Sequence, residues 1–139
     1  MYEKILVAVD HSDVSARVLE AARGLASLSN GEVWVLHLRE REPMAKTGLL
    51  TSTESSDQVG ADLTAAVEAL TRAGIKATGE ARDTLFGHAA REIVSDAHEH
   101  GVDVIVMGSR GRGDLAGLLL GSTAHKVIHL ADRPVLVVR

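Results

Sequence analysis

The chain has 139 residues, a formal net charge of −4, no cysteine and 2% aromatic residues, so we expect one domain over 1–139 without disulfides or thiolate metal sites. A mildly acidic chain with one Trp, one Tyr and one Phe lacks the basic, aromatic surface of a nucleic-acid-binding protein. The first apolar run is too short for a signal peptide, and no segment approaches the roughly 18 apolar residues of a membrane span, so we expect a cytoplasmic protein without a membrane partner.

The first strand and helix are predicted directly after the N terminus. Residues 4–9 (KILVAV) form a continuous apolar run, which is typical of a strand buried on both faces. Apolar residues at helical spacing over 14–25 predict the helix that follows. Ser12 or Asp13 is expected to cap this helix, and Asn30-Gly31 to end it.

The second strand is predicted at residues 33–38 (VWVLHL). Residues 40–58 are polar and show no clear period, so we expect the longest loop of the chain here. The Ser/Thr/Glu-rich end of this loop is expected to start a second helix, which the apolar spacing over 59–70 continues and Gly74 stops.

The remaining elements repeat the alternation. Residues 76–82 predict a weak, polar strand, and 90–97 a third helix. The apolar run over 102–107 predicts the fourth strand. The helical spacing over 124–131 predicts a fourth helix, and 134–138 (PVLVV) predicts the fifth strand.

The order β-α-β-α-β-α-β-α-β predicts an α/β fold with a single open five-stranded parallel sheet and helices on both faces. The polar third strand suits an edge and the apolar first and fourth strands suit the centre, so right-handed crossovers favour the strand order 3-2-1-4-5. Ligands in such sheets bind beyond the carboxyl ends of the strands, where the strand order reverses. We therefore expect Asp10-His11-Ser12 to meet the loop that follows the fourth strand.

That loop, within 107–123 (MGSRGRGDLAGLLLGST), holds five of the 13 glycines. A phosphate chain needs backbone N–H groups without Cβ atoms in the way, and a helix N terminus adds a favourable dipole. Gly108 and Gly111 supply such a loop, while Gly121 and Ser122 open the fourth helix, where Ser122 can cap it or contact phosphate. The spacing matches neither a Walker A loop nor GxGxxG, and the alternative is a solvent-exposed turn.

The pattern G-x2-G-x9-G-[S/T], with ILVAVDHSDVS at the start and VWVLHL after it, resembles the ATP-binding branch of the universal stress proteins over nearly the whole chain. The resemblance implies a Rossmann-like nucleotide site, with Asp10 near ribose and phosphates, where it is a candidate partner for Mg²⁺ or Mn²⁺. The implied nucleotide-binding residues are Ala8, Asp10, Leu38, Met107, Gly108, Gly111, Gly121, Ser122 and Thr123. His11 and Thr123 depart from the residues often found at these positions.

The resemblance implies an ATP-binding, dimeric sensor or regulator of the stress response. ATP hydrolysis needs an oriented water, a base and charge stabilisation, and the sequence places only Asp10 as a metal ligand, so we do not expect an efficient enzyme. One alternative is a slow ATPase or autophosphorylating protein with acceptors in 40–58. Another is a nucleotide-free interaction module of the same fold. An adenylating enzyme is disfavoured because VDHSDVS matches neither SGGxDS nor HIGH.

The predicted fifth strand, 134–138, is apolar although it lies at a sheet edge. Such an edge is an aggregation hazard unless it is covered. The simplest cover is a second copy across a two-fold axis, and the resemblance implies the same antiparallel homodimer, alongside a protein partner that the sequence does not identify.

The histidines are considered as metal ligands. His125 and His129 are four residues apart on one helix, but no third ligand is placed by spacing, so we expect surface residues. His37 interrupts an apolar strand and is expected to be a hydrogen-bonded core histidine.

Overall fold

A computed structural model describes residues 1–10, 12, 14–44, 47–52, 54–110 and 120–139. Within these ranges no helix combines the length and apolar character needed to span a bilayer. The elements in chain order are β1 (Lys4–Val9), α1 (Ser15–Ser29), β2 (Glu32–Pro43), β3 (Leu50–Thr51), α2 (Ser56–Arg72), β4 (Ala77–Leu85), α3 (Ala89–Glu99), β5 (Val104–Gly108), α4 (Ser122–Leu130) and β6 (Val135–Val138).

The sheet confirms the predicted strand order. Its five parallel strands run β4-β2-β1-β5-β6, which is the order 3-2-1-4-5 of the predicted strands. A sixth strand was not predicted: β3 pairs antiparallel with the end of β2, through Glu42 and Thr51. The strand order reverses between β1 and β5, as expected.

The prediction of one long loop over 40–58 is wrong in part. β2 continues through Pro43, because β4 pairs with it as far as Arg41 and Leu85. Asp83 on β4 accepts from Arg39 Nε at 2.7 Å, and Arg41 Nη1 lies 3.2 Å from the same carboxylate. Ion pairs thus hold β2 and β4 together beyond the point where apolar side chains are buried. Hydrophobic periodicity cannot predict such ion pairs.

The helix termini are partly as predicted. Ser55 caps α2, since its side chain accepts from the backbone N–H of Gln58 at 3.1 Å. Asn30 ends α1 in the left-handed region, with φ 54°. The expected cap of α1 is not formed by Ser12, because Val14 occupies the N-cap position without a side-chain bond; Asp13 lies outside the described residues.

Two apolar layers enclose the sheet. Alternate residues of each central strand point to opposite faces, so that α1 and α2 cover one face and α3 and α4 the other. On the first face the fully buried residues include Ile5, Val7, Val18, Ala22, Val35 and Val106. On the second they include Leu6, Leu36, Ala97, Ile105, Ala124 and Val127. The carboxyl ends of β1, β2 and β5 lie between these layers.

Candidate functional site

A cavity of about 820 Å³ lies beyond the carboxyl ends of β1, β2 and β5. This volume is within the range of about 300–1,000 Å³ that small-molecule sites occupy. Its apolar wall comes from both the sheet and the second helical layer, and includes Ala8, Leu36, Leu38, Ala90, Ile93 and Met107. The cavity occupies the switch point at which the sequence places a ligand.

Most of the predicted site residues line this cavity. Those that do are Ala8, Asp10, Leu38, Met107, Gly108, Ser122 and Thr123. Gly121 is buried beside them at the N-cap position of α4. Gly111 and His11 lie outside the described residues.

The turn between β1 and α1 orients Asp10. The Oγ of Ser15 lies 2.6 Å from the carbonyl oxygen of Asp10 and 3.2 Å from its carboxylate Oδ1, and the backbone N–H of Asp10 donates to the same hydroxyl at 3.2 Å. The carboxylate of Asp10 is tethered at the cavity by Ser15.

Tight packing favours glycine at position 108, which also lines the cavity. A Cβ atom on Gly108 would lie 3.0 Å from the carbonyl oxygen of Arg110 and 3.2 Å from Val14 Cγ1. A side chain here would force these neighbours to move by a few tenths of an ångström, so glycine lets the end of β5 lie close to Val14.

The N terminus of α4 opens onto the cavity. The backbone N–H of Gly121 donates to the carbonyl of Ser109 at 2.5 Å, which anchors the helix start to the end of β5. Ser122 does not cap the helix, as we expected it might, because Gly121 is the N-cap residue and no side-chain cap bond forms there. The first N–H groups of a helix have no intrahelical acceptor, so those beside Ser122 and Thr123 suit an anion.

Apart from Asp10 at the end of β1, the charged side chains of the cavity wall fall into two regions. Glu40, Glu42 and Glu54 line it from β2 and the segment before α2, whereas Arg110 and Lys126 line it from the end of β5 and from α4. Sequence reasoning missed the three glutamates because it placed them in a loop. Among the described lining residues, cationic side chains therefore lie on the same side as the start of α4.

His37 and Glu54 form a buried pair behind the acidic region. His37 is 0% exposed, and its Nε2 lies 3.0 Å from Glu54 Oε1, which confirms a hydrogen-bonded core histidine. This contact holds the segment before α2 against β2. Glu54 also lines the cavity, so the contact positions part of the cavity wall. The two residues are 17 positions apart, so no local sequence pattern predicts their contact.

The histidine pair on α4 behaves as a surface feature. His125 and His129 are exposed, and the part of the chain that the structure describes holds no group of three His, Cys, Asp or Glu residues able to bind a metal ion. His100 instead stacks on Trp34, with ring centroids 4.1 Å apart.

Comparison with known proteins identifies a family. The sequence model of the universal stress protein family matches residues 1–139. Universal stress protein YxiE of Bacillus subtilis is 38% identical over the full length of both chains. The solved structure of protein MJ0577 of Methanocaldococcus jannaschii superposes with a TM-score of 0.81 at 29% identity, covering 99% of this chain and 96% of that one. An Archaeoglobus fulgidus universal stress protein in complex with dAMP has a TM-score of 0.73 at 27% identity, covering 99% and 98%.

Proposed function

The chain belongs to the universal stress protein family, and we propose that its cavity binds ATP and that the protein acts in the cytoplasm as a dimeric regulator of the stress response. The observation that supports ATP binding is that one cavity has an apolar wall at one part and the N terminus of α4 at another. An adenine base suits the first part and a phosphate chain suits the second. The dAMP complex of the Archaeoglobus relative supports an adenine nucleotide.

The charges on the wall favour one orientation of the nucleotide. A phosphate chain is repelled by Glu40 and Glu42 and attracted by Arg110 and Lys126. We therefore place the phosphates at the start of α4 and the adenine against Ala8 and Leu38. The β2 glutamates then face the base and the ribose hydroxyls, which carry no negative charge and donate hydrogen bonds.

Asp10 is the candidate partner for a divalent ion in this arrangement. Oxygen ligands from one or two carboxylates together with substrate phosphates are typical of Mg²⁺ sites. The carboxylate of Asp10 fits that chemistry, since it lines the cavity and is tethered by Ser15. Mg²⁺ or Mn²⁺ would supply charge neutralisation for the phosphates, and Asp10 would hold it together with them.

We propose that ATP turnover at this site is slow. Efficient hydrolysis needs a base and an oriented water at the terminal phosphate, whereas the cavity glutamates lie on the opposite, β2 side. A phosphate-release assay is expected to give less than about 1 turnover per second, the lower end of ordinary enzymatic rates. A faster rate that depends on one of the cavity carboxylates would contradict the regulatory role.

Gly121→Val tests the phosphate end of the site. The backbone of Gly121 has φ −73° and ψ 166°, a region that valine adopts readily, so the fold is expected to persist. The added side chain would stand where phosphate approaches the start of α4. Calorimetry is expected to show micromolar ATP binding by the wild type, about −8 kcal/mol, and at least about tenfold weaker binding by the variant.

Gly60→Val is the matched control, because a side chain at Gly60 meets nothing within 4 Å and Gly60 does not line the cavity. Equal ATP affinity in both variants and the wild type would contradict the proposal that the phosphates bind at the start of α4. Mass spectrometry of small molecules released by acid denaturation separates this function from a nucleotide-free interaction module, which would yield no adenine nucleotide and bind none in calorimetry.

A further inference from the structure

A second cavity of about 420 Å³ lies between α3 and α4, on the helical layer that covers the second face of the sheet. His88, at the N-cap position of α3, and Arg91 line it from one side, and His125, Lys126 and His129 line it from α4. No Asp or Glu is among the described residues that line it. In a chain of net charge −4, such a wall is a local reversal of sign.

The helical spacing explains how these side chains meet. Residues three or four positions apart share one helix face, so His88 and Arg91 project together from the start of α3, and His125 and His129 project together from α4. The two helices pack against each other through Ala90, Ile93 and Ala124. The five groups therefore face a common opening rather than separate patches of surface.

The nearby carboxylates are engaged elsewhere. On α3, Glu92 and Asp96 lie 4.0 Å and 2.6 Å from Arg82, which is on β4. Beyond α4, Asp132 lies 2.8 Å from Arg133. Among the described residues, therefore, no carboxylate neutralises the α3–α4 cavity, which favours solvent ions or a ligand in that role.

The ligand class follows from the charges. A metal cation is disfavoured, since Arg91 and Lys126 keep their positive charge at neutral pH and no group of three ligands exists among the described residues. We propose that the α3–α4 cavity binds a phosphate-type oxyanion and that binding strengthens as its histidines become protonated. This site is distinct from the nucleotide cavity, although Gly87, Ala90 and Lys126 border both.

The pH dependence has a definite sign. An imidazole carries a positive charge only when it is protonated, so acid makes a cavity that three histidines line more positive. Arg91 and Lys126 add cationic groups to the same wall. Sulfate is the suitable probe, because its own charge does not change between pH 6 and pH 8.

Sulfate titration at constant ionic strength, followed through the imidazole proton signals in NMR, tests the proposal. Saturable shifts are expected for His88, His125 and His129, with His98 unmoved, and an affinity at least about tenfold weaker at pH 8 than at pH 6, or about 1.4 kcal/mol. Arg91→Gln is expected to weaken binding by a similar factor. The matched control is His98→Gln on the same helix, which should leave the affinity unchanged.

Two further arms identify the source of the phosphate group. Shifts by sulfate that persist with saturating AMP indicate a free oxyanion. Shifts of His125 and His129 by ATP, but not by AMP, indicate the terminal phosphates of a nucleotide in the neighbouring cavity. The first outcome supports the proposed site, whereas the second overturns its separation from the nucleotide cavity. Shifts by neither sulfate nor ATP, or equal and pH-independent shifts at His98, overturn it, whether or not the nucleotide cavity binds AMP.

Discussion

The two edges of the sheet use opposite chemistry. The β4 edge is polar and joined to its neighbours by ion pairs, whereas the β6 edge is a short apolar strand with Leu136 42% exposed. Charged side chains protect an edge strand from unwanted pairing. The charged side chains of β4 therefore protect that edge from strand pairing, whereas β6 carries no charged side chain that would do so.

The β4 edge is stabilised by a buried carboxylate. Asp96 on α3, which is 2% exposed, accepts from Trp34 Nε1 at 2.5 Å and from Arg82 Nη2 at 2.6 Å. It thus connects β2, β4 and α3 at one point. Asp83 forms a second, more exposed connection to Arg39 and Arg41.

At the β6 edge, β5 is the only pairing partner among the described strands. We propose that a second copy of this chain covers β6 across a two-fold axis, giving an antiparallel homodimer through 134–138. Apolar edge strands that pair in this way bury the exposed side chains and the unpaired backbone groups together.

Leu136→Glu is expected to have the largest effect. It places two negative charges at the proposed interface, one from each copy, and the dimer dissociation constant should rise at least about a thousandfold, or about 4 kcal/mol. Light scattering over a concentration series measures the change.

Leu28→Glu is the control for this experiment. Leu28 is 89% exposed on α1, so this substitution should leave the dimer intact. If the wild type stays monomeric at micromolar concentration, the proposal that a second copy covers β6 is wrong.

Asp96→Ala should produce the next largest effect. It leaves the indole N–H of Trp34 and the guanidinium of Arg82 without their acceptor, and loss of one partner in a buried charged network costs about 2–4 kcal/mol. Urea denaturation is expected to show that loss, with Asp96→Asn intermediate. Glu99→Ala, an exposed position of α3, should cost little; a similar loss there would mean that helix propensity rather than the network is responsible.

Asp83→Asn should have a small effect that depends on pH. The hydrogen bond from Arg39 lowers the pKa of Asp83 below its ordinary value, so its contribution is present above the unfolded pKa of about 3.9 and is lost as pH falls through the folded value. Since its side chain is 46% exposed, we expect less than about 1 kcal/mol at pH 7.

Urea denaturation at pH 7 and at pH 3 should show the difference between Asp83→Asn and the wild type narrowing at the lower pH. Glu32→Gln removes the exposed pair with Lys76, and its effect on the free energy of unfolding should be too small to detect. A gap for Asp83→Asn that is constant over this pH range would show that the Arg39 contact does not depend on the carboxylate charge.

Much of the fold follows from the sequence because burial imposes a pattern on it. The KILVAV and VDVIVM runs predicted central strands, since a strand covered on both faces must be apolar throughout. The polar character of 76–82 predicted an edge for the same reason. The predicted strand order indicated which end of the sheet forms a cavity, because ligands of open α/β sheets bind beyond the carboxyl ends of the strands at the switch point, and Gly108, Gly121 and Ser122 follow the strand at that point.

Only the tertiary structure decided the contacts between residues distant in sequence. The extension of β2 depends on Asp83 lying across from Arg39, 44 positions away, and the anchoring of Glu54 depends on His37. The α3–α4 cavity likewise brings His88 together with His125 and His129, which lie more than 35 positions away in the sequence. Local patterns record whether a residue is buried, whereas ion pairs and shared cavities depend on which polar side chains the packed helices and strands bring within a few ångströms.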